Sequence, residues 1–577
     1  MNKKVLKVMK KPELYIFSIL FIIRIIIGNK IGAWYFSNQI YDDQLLAKYS
    51  MLRDHFLNPD VYSMVKTMGY PLFLNIVHIF KIKYSILLSI VWCIDALVAY
   101  KTILTITKNK KVSTFAFVYV LFMPMAFEAY LGTRMYRNSI IAPFSLLVIC
   151  MMVLNIHKCI TIDNNKNNVI KIFTKSFIFG ILFSFTYYIK EDGLWILACL
   201  LFSLILEVII LVVKFIKDKI CKRNFIIILV ACILPLIIFL LTTVIYKEIN
   251  KKYFGVYAIE TRNSGELGNF VRNIYKVDSN YRTSIIWAPK DAIQQVFSVS
   301  PTLKKYPELE YDVLHSVWNQ GNIDLVPIRG DFLTWVLRTS LDEKGIWKSE
   351  KQINKMFKKV NVEIENAFKN GKLKRENRIQ LLSSAGGRNP YEIWELRKLI
   401  YFGFRGTIFL EDYIPGIINV PTYDVETTKY ISKLTYEKKL NGNLTEKQKK
   451  TNERNVKMIK NIFSVYRIVN VILFIFMFFV ILIKTFTYVV KIINHANINK
   501  NEVFQYILIV VLSLIAIMYA FSISWFSEFI FTDGINKVIL NFYLAALPVL
   551  LVLPYMLSLN MCNIFLKGVI KSAKQRR

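Results

Sequence analysis

A chain of 577 residues that is 54% hydrophobic is too apolar to divide into several soluble cores, each needing its own polar surface. Its formal net charge of +35 does not point to nucleic acid, because much of the excess lies in short stretches beside apolar blocks, the placement that holds loops in the cytoplasm. Those blocks run to about 18–25 residues, enough to cross a ~30 Å hydrocarbon layer at ~1.5 Å per residue.

The first block follows MNKKVLKVMKK and reads ELYIFSILFIIRIIIG. It has the charged start of a signal peptide, but no small-x-small cleavage site and too long an apolar run, so it is expected to stay as an uncleaved helix. Ten spans are expected in all, at roughly 13–32, 84–106, 112–130, 137–156, 172–189, 193–213, 224–246, 461–490, 504–522 and 537–560. GYPLFLNIVHIF, at 69–80, is too short to span and suits a re-entrant or interfacial helix. Lysines at 3–11, at 108–111 and at 214–222 and the basic C-terminal tail place both termini inside. Residues 33–83, the turns at 130–137 and 189–193, and a domain at 248–459 then gather outside. The expected fold is an all-α polytopic membrane protein: a transmembrane module of about seven helices at 1–247, a mostly helical extracytoplasmic domain at 248–459, and about three helices at 460–577. TYEKKLNGNLTEKQKKTNERN, at 435–455, reads as a solvated helix or linker into the next span. A Lys/Ile/Asn-rich composition suits the plasma membrane of an AT-rich bacterium.

Three outer segments carry candidate chemistry. Asp42 and Asp43 in YDDQLLAKYS follow the first helix; one carboxylate suits a general base, with its neighbour raising its pKa or holding a divalent cation, and the plain alternative is a helix N-cap. Arg134 and Arg137 in TRMYRNS stand three apart at a helix start, where two guanidiniums and the helix dipole suit a phosphate; headgroup contact is the alternative, and Glu128 is either their partner or unengaged at the interface. Lys190, Glu191 and Asp192 in YIKEDGLWIL suit a site handling a phosphate together with a hydroxyl or cation, or a simple polar hairpin.

Elsewhere, Arg24 is close enough to the polar GNK at 28–30 to snorkel toward headgroups. Asp95 sits near mid-span and calls for a partner or cavity. The seven cysteines (Cys93, Cys150, Cys159, Cys199, Cys221, Cys232 and Cys562) all avoid the large loop, so disulfides are not its staple and no thiolate metal site is expected. His55, His78, His157, His315 and His495 show no metal-ligand spacing, and no nucleotide-binding motif is present.

YDDQLLAKYS, KTMGYPLFLNI, TRMYRNS and YIKEDGLWIL, in that order within residues 13–215, together resemble the GT-C superfamily of membrane glycosyltransferases. The resemblance is to the bacterial branch similar to protein O-mannosyltransferases and lipid A aminoarabinose transferases. It implies a GT-C-like fold and inverting transfer of a sugar from a polyprenyl-phosphate donor to a glycan, lipid or protein acceptor at the outer leaflet. By that likeness Asp42 or Asp43 is the catalytic carboxylate, and Arg134, Arg137 and Lys190 hold the donor phosphate, with Glu191, Asp192 and Glu128 as supporting acids. Members of the branch carry Arg at the place of Lys190 and Glu at that of Asp192, and many lack the 248–459 insertion. DFLTWVLRTS faintly resembles an insertion motif of some relatives. No cofactor is implied, beyond a possible divalent cation. A cell-surface polysaccharide polymerase or ligase, and a lipid or glycan transporter, are the rival readings.

Overall fold

A computed structural model describes residues 12–38, 42–162, 169–315, 328–382, 385–437, 446–497, 499–531 and 534–575. The basic runs at 3–11 and 576–577 and part of the 435–455 stretch lie outside these. The described residues form helices joined by turns and a few isolated bridges, with no sheet among them.

The membrane-length part begins with α1 (Pro12–Ile31), two short helices α2 (Asp42–Ser50) and α3 (Leu52–Leu57), and α4 (Gly69–Phe80). Next come α5 (Tyr84–Thr107), α6 (Lys110–Leu121), α7 (Asn138–Thr161), α8 (Val169–Tyr187), α9 (Leu194–Ile216) and α10 (Lys222–Phe254). An intervening group comprises α11 (Gly265–Ile274), α12 (Lys290–Val299), α13 (Pro307–Leu314), α14 (Phe332–Glu343), α15 (Glu350–Lys369), α16 (Pro390–Glu395), α17 (Arg397–Phe409) and α18 (Val425–Thr435). The chain returns through α19 (Glu446–Ile493), α20 (Lys500–Ser527), α21 (Lys537–Tyr543), α22 (Leu547–Leu550) and α23 (Val552–Gln575).

Nine helices among the described residues are long and apolar enough to cross a membrane, against the ten expected. The expected first span does form a helix of 20 residues, α1, but is not one of the nine. In the Asn138–Thr161 and Leu547–Ile564 spans 78% of the most apolar window is buried, against 22% for Lys222–Phe254 and Lys449–Ile493. The first two therefore form the centre of the bundle, and the latter two present Ile, Leu and Phe outward, as a helix in contact with lipid does.

Two expected spans are interrupted. The one placed at 112–130 leaves α-geometry after Leu121, where Pro124 starts a short 3-10 turn and residues Ala129–Thr133 form a single π-turn. The one placed at 537–560 breaks into α21, α22 and α23, with Pro548 in the first turn of α22. α4 remains the short apolar helix foreseen, burying Tyr70, Phe73, Leu74 and Val77. Arg24 does not snorkel: it is buried, donates to Ser89 Oγ at 3.1 Å and lies 4.4 Å from the Phe127 ring centre. Ser89 of α5 offers it a hydroxyl and Phe127 of the 124–127 turn a π-face.

The intervening helices pack on the segment that follows α1. Thr261 donates its N–H to Met64 O at 2.7 Å, Gln44 reaches Asp424 at 2.5 Å, and Tyr430 donates to Ser50 O at 3.2 Å. Arg338 of α14 is the lock: its fully buried guanidinium donates to Val61 O, to Glu350 at 2.7 Å and to Thr261 Oγ1 at 2.5 Å. A second tie runs to α20, where Arg388 pairs with Glu528 and donates to Trp525 O at 2.7 Å. Residues 33–83, 128–137, 188–193 and the intervening helices thus share one end of the bundle, opposite the lysine-rich α5–α6 and α9–α10 turns.

The positive charge at one end gives the expectation that this end faces the cytoplasm, and an impermeant reagent tests it. Cys221 is the exposed cysteine and lies in the α9–α10 turn. In intact cells a membrane-impermeant maleimide should leave it unlabelled, while a Tyr391→Cys variant, at a site 71% exposed, should react. Labelling of Cys221 in intact cells with Tyr391→Cys protected would invert the orientation.

Candidate functional site

Asp42 and Asp43 open α2, where carboxylates complement the helix dipole, but the two side chains diverge. Asp43 turns inward. Its side chain is 0% exposed and takes both forks of Arg134, from Nε at 2.8 Å and from Nη2 at 2.5 Å. The Arg134 guanidinium is surrounded by the rings of Trp34, Phe36, Tyr130, Tyr136 and Phe542, at 5.0 to 5.9 Å. Burial disfavours the charge on Arg134, but Asp43 outweighs it and raises the pKa. Backbone geometry aims this arginine: Arg134 is extended after the π-turn, in a bridge with Trp34, and its N–H bonds Ala129 O at 3.0 Å.

Asp42 stays nearer the surface, with its side chain 27% exposed. Three groups converge on its Oδ2: Lys66 Nζ at 2.7 Å, Arg137 Nη2 at 3.0 Å and Tyr136 Oη at 3.0 Å. None of them engages Oδ1. Arg137, the residue that precedes α7, spans two acids, because its Nη1 meets Glu191 Oε2 at 2.5 Å. Glu191 also accepts from Thr67 N at 3.2 Å and lies 3.9 Å from Arg262, which pairs through two bonds with Asp331. Trp335, one turn along α14 from Asp331, lies under both Lys66 (5.0 Å) and Arg262 (5.8 Å).

Gly69 makes this closeness possible. Its N–H donates to Tyr188 O at 2.9 Å, and a Cβ there would meet that oxygen at 2.3 Å. Only glycine lets the start of α4 touch the 188–193 turn, and that contact brings Lys66 and Glu191 to the same side.

Lys66, Arg137 and Arg262 therefore alternate with Asp42, Glu191 and Asp331. Burial opposes ionisation of Asp42, but Lys66 and then Arg137 prevail and hold its carboxyl below the ordinary range. Burial likewise opposes Glu191, yet Arg137 and Lys66 bring it down to about 2. Lys66 falls to about 8, chiefly through burial, with Arg262 adding to the shift against the pull of Asp42. Buried ion pairs add little net stability compared with apolar packing, so stability alone does not account for six charges gathered in one network.

The remaining sequence candidates lie elsewhere. Arg134 and Arg137 do not form a joint phosphate clamp, since one is turned to Asp43 and the other to Asp42 and Glu191. Lys190 pairs with its neighbour Asp192 at 3.2 Å. Glu128 bonds neither arginine: it is buried and accepts the N–H groups of Tyr130, Leu131 and Ile414 at 2.7, 2.6 and 3.1 Å. Asp95 is fully buried, and both its carboxylate oxygens lack a hydrogen-bond partner among the described residues. Asp42 and Asp43 hold separate cations, so they do not form a shared site for a divalent ion. The group of side chains placed to hold a metal among the described residues is Cys159, Glu207 and Cys232, against the expectation that no thiolate site exists.

Lys66, Arg262, Asp331 and Trp335 were not singled out from sequence. Lys66 is the first residue of KTMGYPLFLNI, and Asp331 and Trp335 lie in DFLTWVLRTS, so three of the four sit inside motifs noted for other reasons. Arg262 carries no local signal. Comparisons with protein-family models, curated proteins and solved structures give no match.

Two outcomes follow. Asp43→Asn removes the charge that both forks of the buried Arg134 engage, a loss of ~3–5 kcal/mol in thermal unfolding, whereas Asp42→Asn, at a part-exposed site, loses less. Equal losses would contradict the division of roles. Burial also raises Glu128 and Glu260 to about 7, above their ordinary 4.5. Stability from such raised groups is full below about 4.5 and is lost as pH rises through about 7. The melting temperature of wild type should therefore fall, relative to a Glu128→Gln/Glu260→Gln variant, between pH ~5 and ~8. A constant difference would contradict it.

Proposed function

We propose that the protein is a membrane glycosyltransferase that moves a sugar from a polyprenyl-phosphate donor to an acceptor hydroxyl, with Asp42 as the general base. The observation that carries this reading is the asymmetry of the acidic pair: Asp42 is part-exposed between Lys66 and Arg137, while Asp43 is sealed against Arg134.

A lipid phosphate is already a good leaving group, so the protein must place the acceptor, take its proton and hold the departing charge. In the proposed step the acceptor oxygen attacks the anomeric carbon as the carbon–oxygen bond to phosphate breaks. The electron pair leaves with the phosphate, the hydroxyl proton passes to Asp42, and the configuration inverts. Lys66 and Arg137, with Arg262 beyond Glu191, take the place of Arg134 and Lys190 as phosphate-holding cations, because they gather around the part-exposed Asp42 whereas Arg134 is sealed against Asp43 and Lys190 pairs with Asp192.

The same cations account for an otherwise awkward feature, since a carboxylate held below its ordinary pKa is a weak base. Donor phosphate competing for Lys66 and Arg137 withdraws them from Asp42 and raises its basicity when it is needed. Once Asp42 is protonated, it no longer competes for the cations that hold the released phosphate.

The test is donor consumption by the protein in nanodiscs, with a polyprenyl-monophosphate hexose as donor and a native membrane extract as acceptor source. Asp42→Asn should slow transfer ~10²–10⁴-fold with the fold intact. Lys66→Gln and Arg262→Gln should each cost ~10²–10³-fold. Transfer by folded Asp42→Asn at the wild-type rate would overturn the assignment. Use of pyrophosphate-linked oligosaccharides in place of monophosphate donors would favour a polymerase.

A further inference from the structure

A second group of side chains with ligand atoms lies well away from the charged network. Cys159 stands near the end of α7, Glu207 within α9 and Cys232 within α10, three helices that pack together toward the lysine-rich end of the bundle. Cys159 and Glu207 are buried and Cys232 is half-buried. One ligand atom from each lies within 4.8 Å of the others.

The distances favour one kind of occupant. The two sulfurs are 3.8 Å apart, whereas a disulfide needs ~2.05 Å. Two thiolates at ~2.3 Å from a tetrahedral zinc ion stand ~3.8 Å apart, the edge of the tetrahedron. A linear two-thiolate ion would hold them farther apart. Glu207 supplies a third, harder donor, and Ser203 donates to its Oε1 at 2.9 Å, which orients the carboxylate.

Charge favours it as well. Glu207 sits in FSLILEVIILVV, an apolar surrounding where a carboxylate needs a partner. Two thiolates, one carboxylate and a divalent ion sum to one negative charge.

We infer that Cys159, Glu207 and Cys232 form a zinc site that ties α7, α9 and α10 together, with the fourth coordination position left to water. Charge and spacing favour zinc over a harder ion such as magnesium, which takes oxygen donors in octahedral geometry.

The test uses full-length protein purified in detergent with reductant and without a histidine tag, loaded with zinc chloride and passed over a chelating resin. Elemental analysis should find one zinc per chain. Cys159→Ser and Cys232→Ser should each lower the retained zinc at least ~10-fold, with monodispersity on gel filtration as the folding control. Cadmium loading of wild type should give a thiolate-to-cadmium charge-transfer band that prior thiol alkylation abolishes, a readout that does not need the variants to fold. Wild type with no zinc above the buffer blank would overturn the site. So would zinc retained unchanged in folded Cys→Ser variants, or a Cys159–Cys232 disulfide in the purified protein.

Discussion

Arg137 is the joint on which this end of the bundle, opposite the lysine-rich turns, depends. One guanidinium bonds Asp42, from the segment after α1, and Glu191, from the turn between α8 and α9. Those two acids in turn engage Lys66, beside α4, and approach Arg262 of the intervening region. Desolvation makes the joint compulsory, because a charge this buried is costly without its partners. Four chain segments far apart in sequence are thereby held in a single ion-pair network.

The charge count within that network is balanced, and balance is a sensible resting state for the anion-receiving site proposed here. Three cations locked to three carboxylates need no counterion and can stay out of bulk water. A phosphate can enter only by exchange, replacing a carboxylate as partner. The carboxylate placed for exchange is Asp42, bound through one oxygen and part-exposed. Asp43 is not, since both its oxygens are engaged by Arg134 and it has no solvent path. Adjacent residues of identical chemistry are thus separated by a turn of the chain, one for holding the fold and one for the proposed reaction.

Membrane-length helices were legible in the sequence because hydrophobic length is a strong one-dimensional signal, and α5, α7, α8, α9, α10, α19 and α20 lie where apolar runs place them. What the sequence concealed were departures from regular helix. Pro124 and Pro548 gave local warning, but the unwound 122–137 segment depends on its bridge to Trp34 and on Glu128 capping backbone N–H groups, contacts with no local signature. The site was half legible for the same reason. Asp42, Arg137 and Glu191 belong to short polar runs between apolar blocks, and such runs stand out. Lys66 and Arg262 look like ordinary loop cations until Gly69 and the Arg338 lock bring their segments together. Cys159, Glu207 and Cys232 lie on three different helices, so no spacing rule could unite them.

The central claim is that Lys66 and Arg137 exchange Asp42 for a donor phosphate. A cryo-electron microscopy structure in nanodiscs with a non-transferable polyprenyl-phosphonate sugar tests it most directly. The phosphonate oxygens should lie ~3 Å from Lys66 and Arg137, with Asp42 released toward the sugar. Phosphonate bound elsewhere, with the Asp42 ion pairs intact, would contradict it.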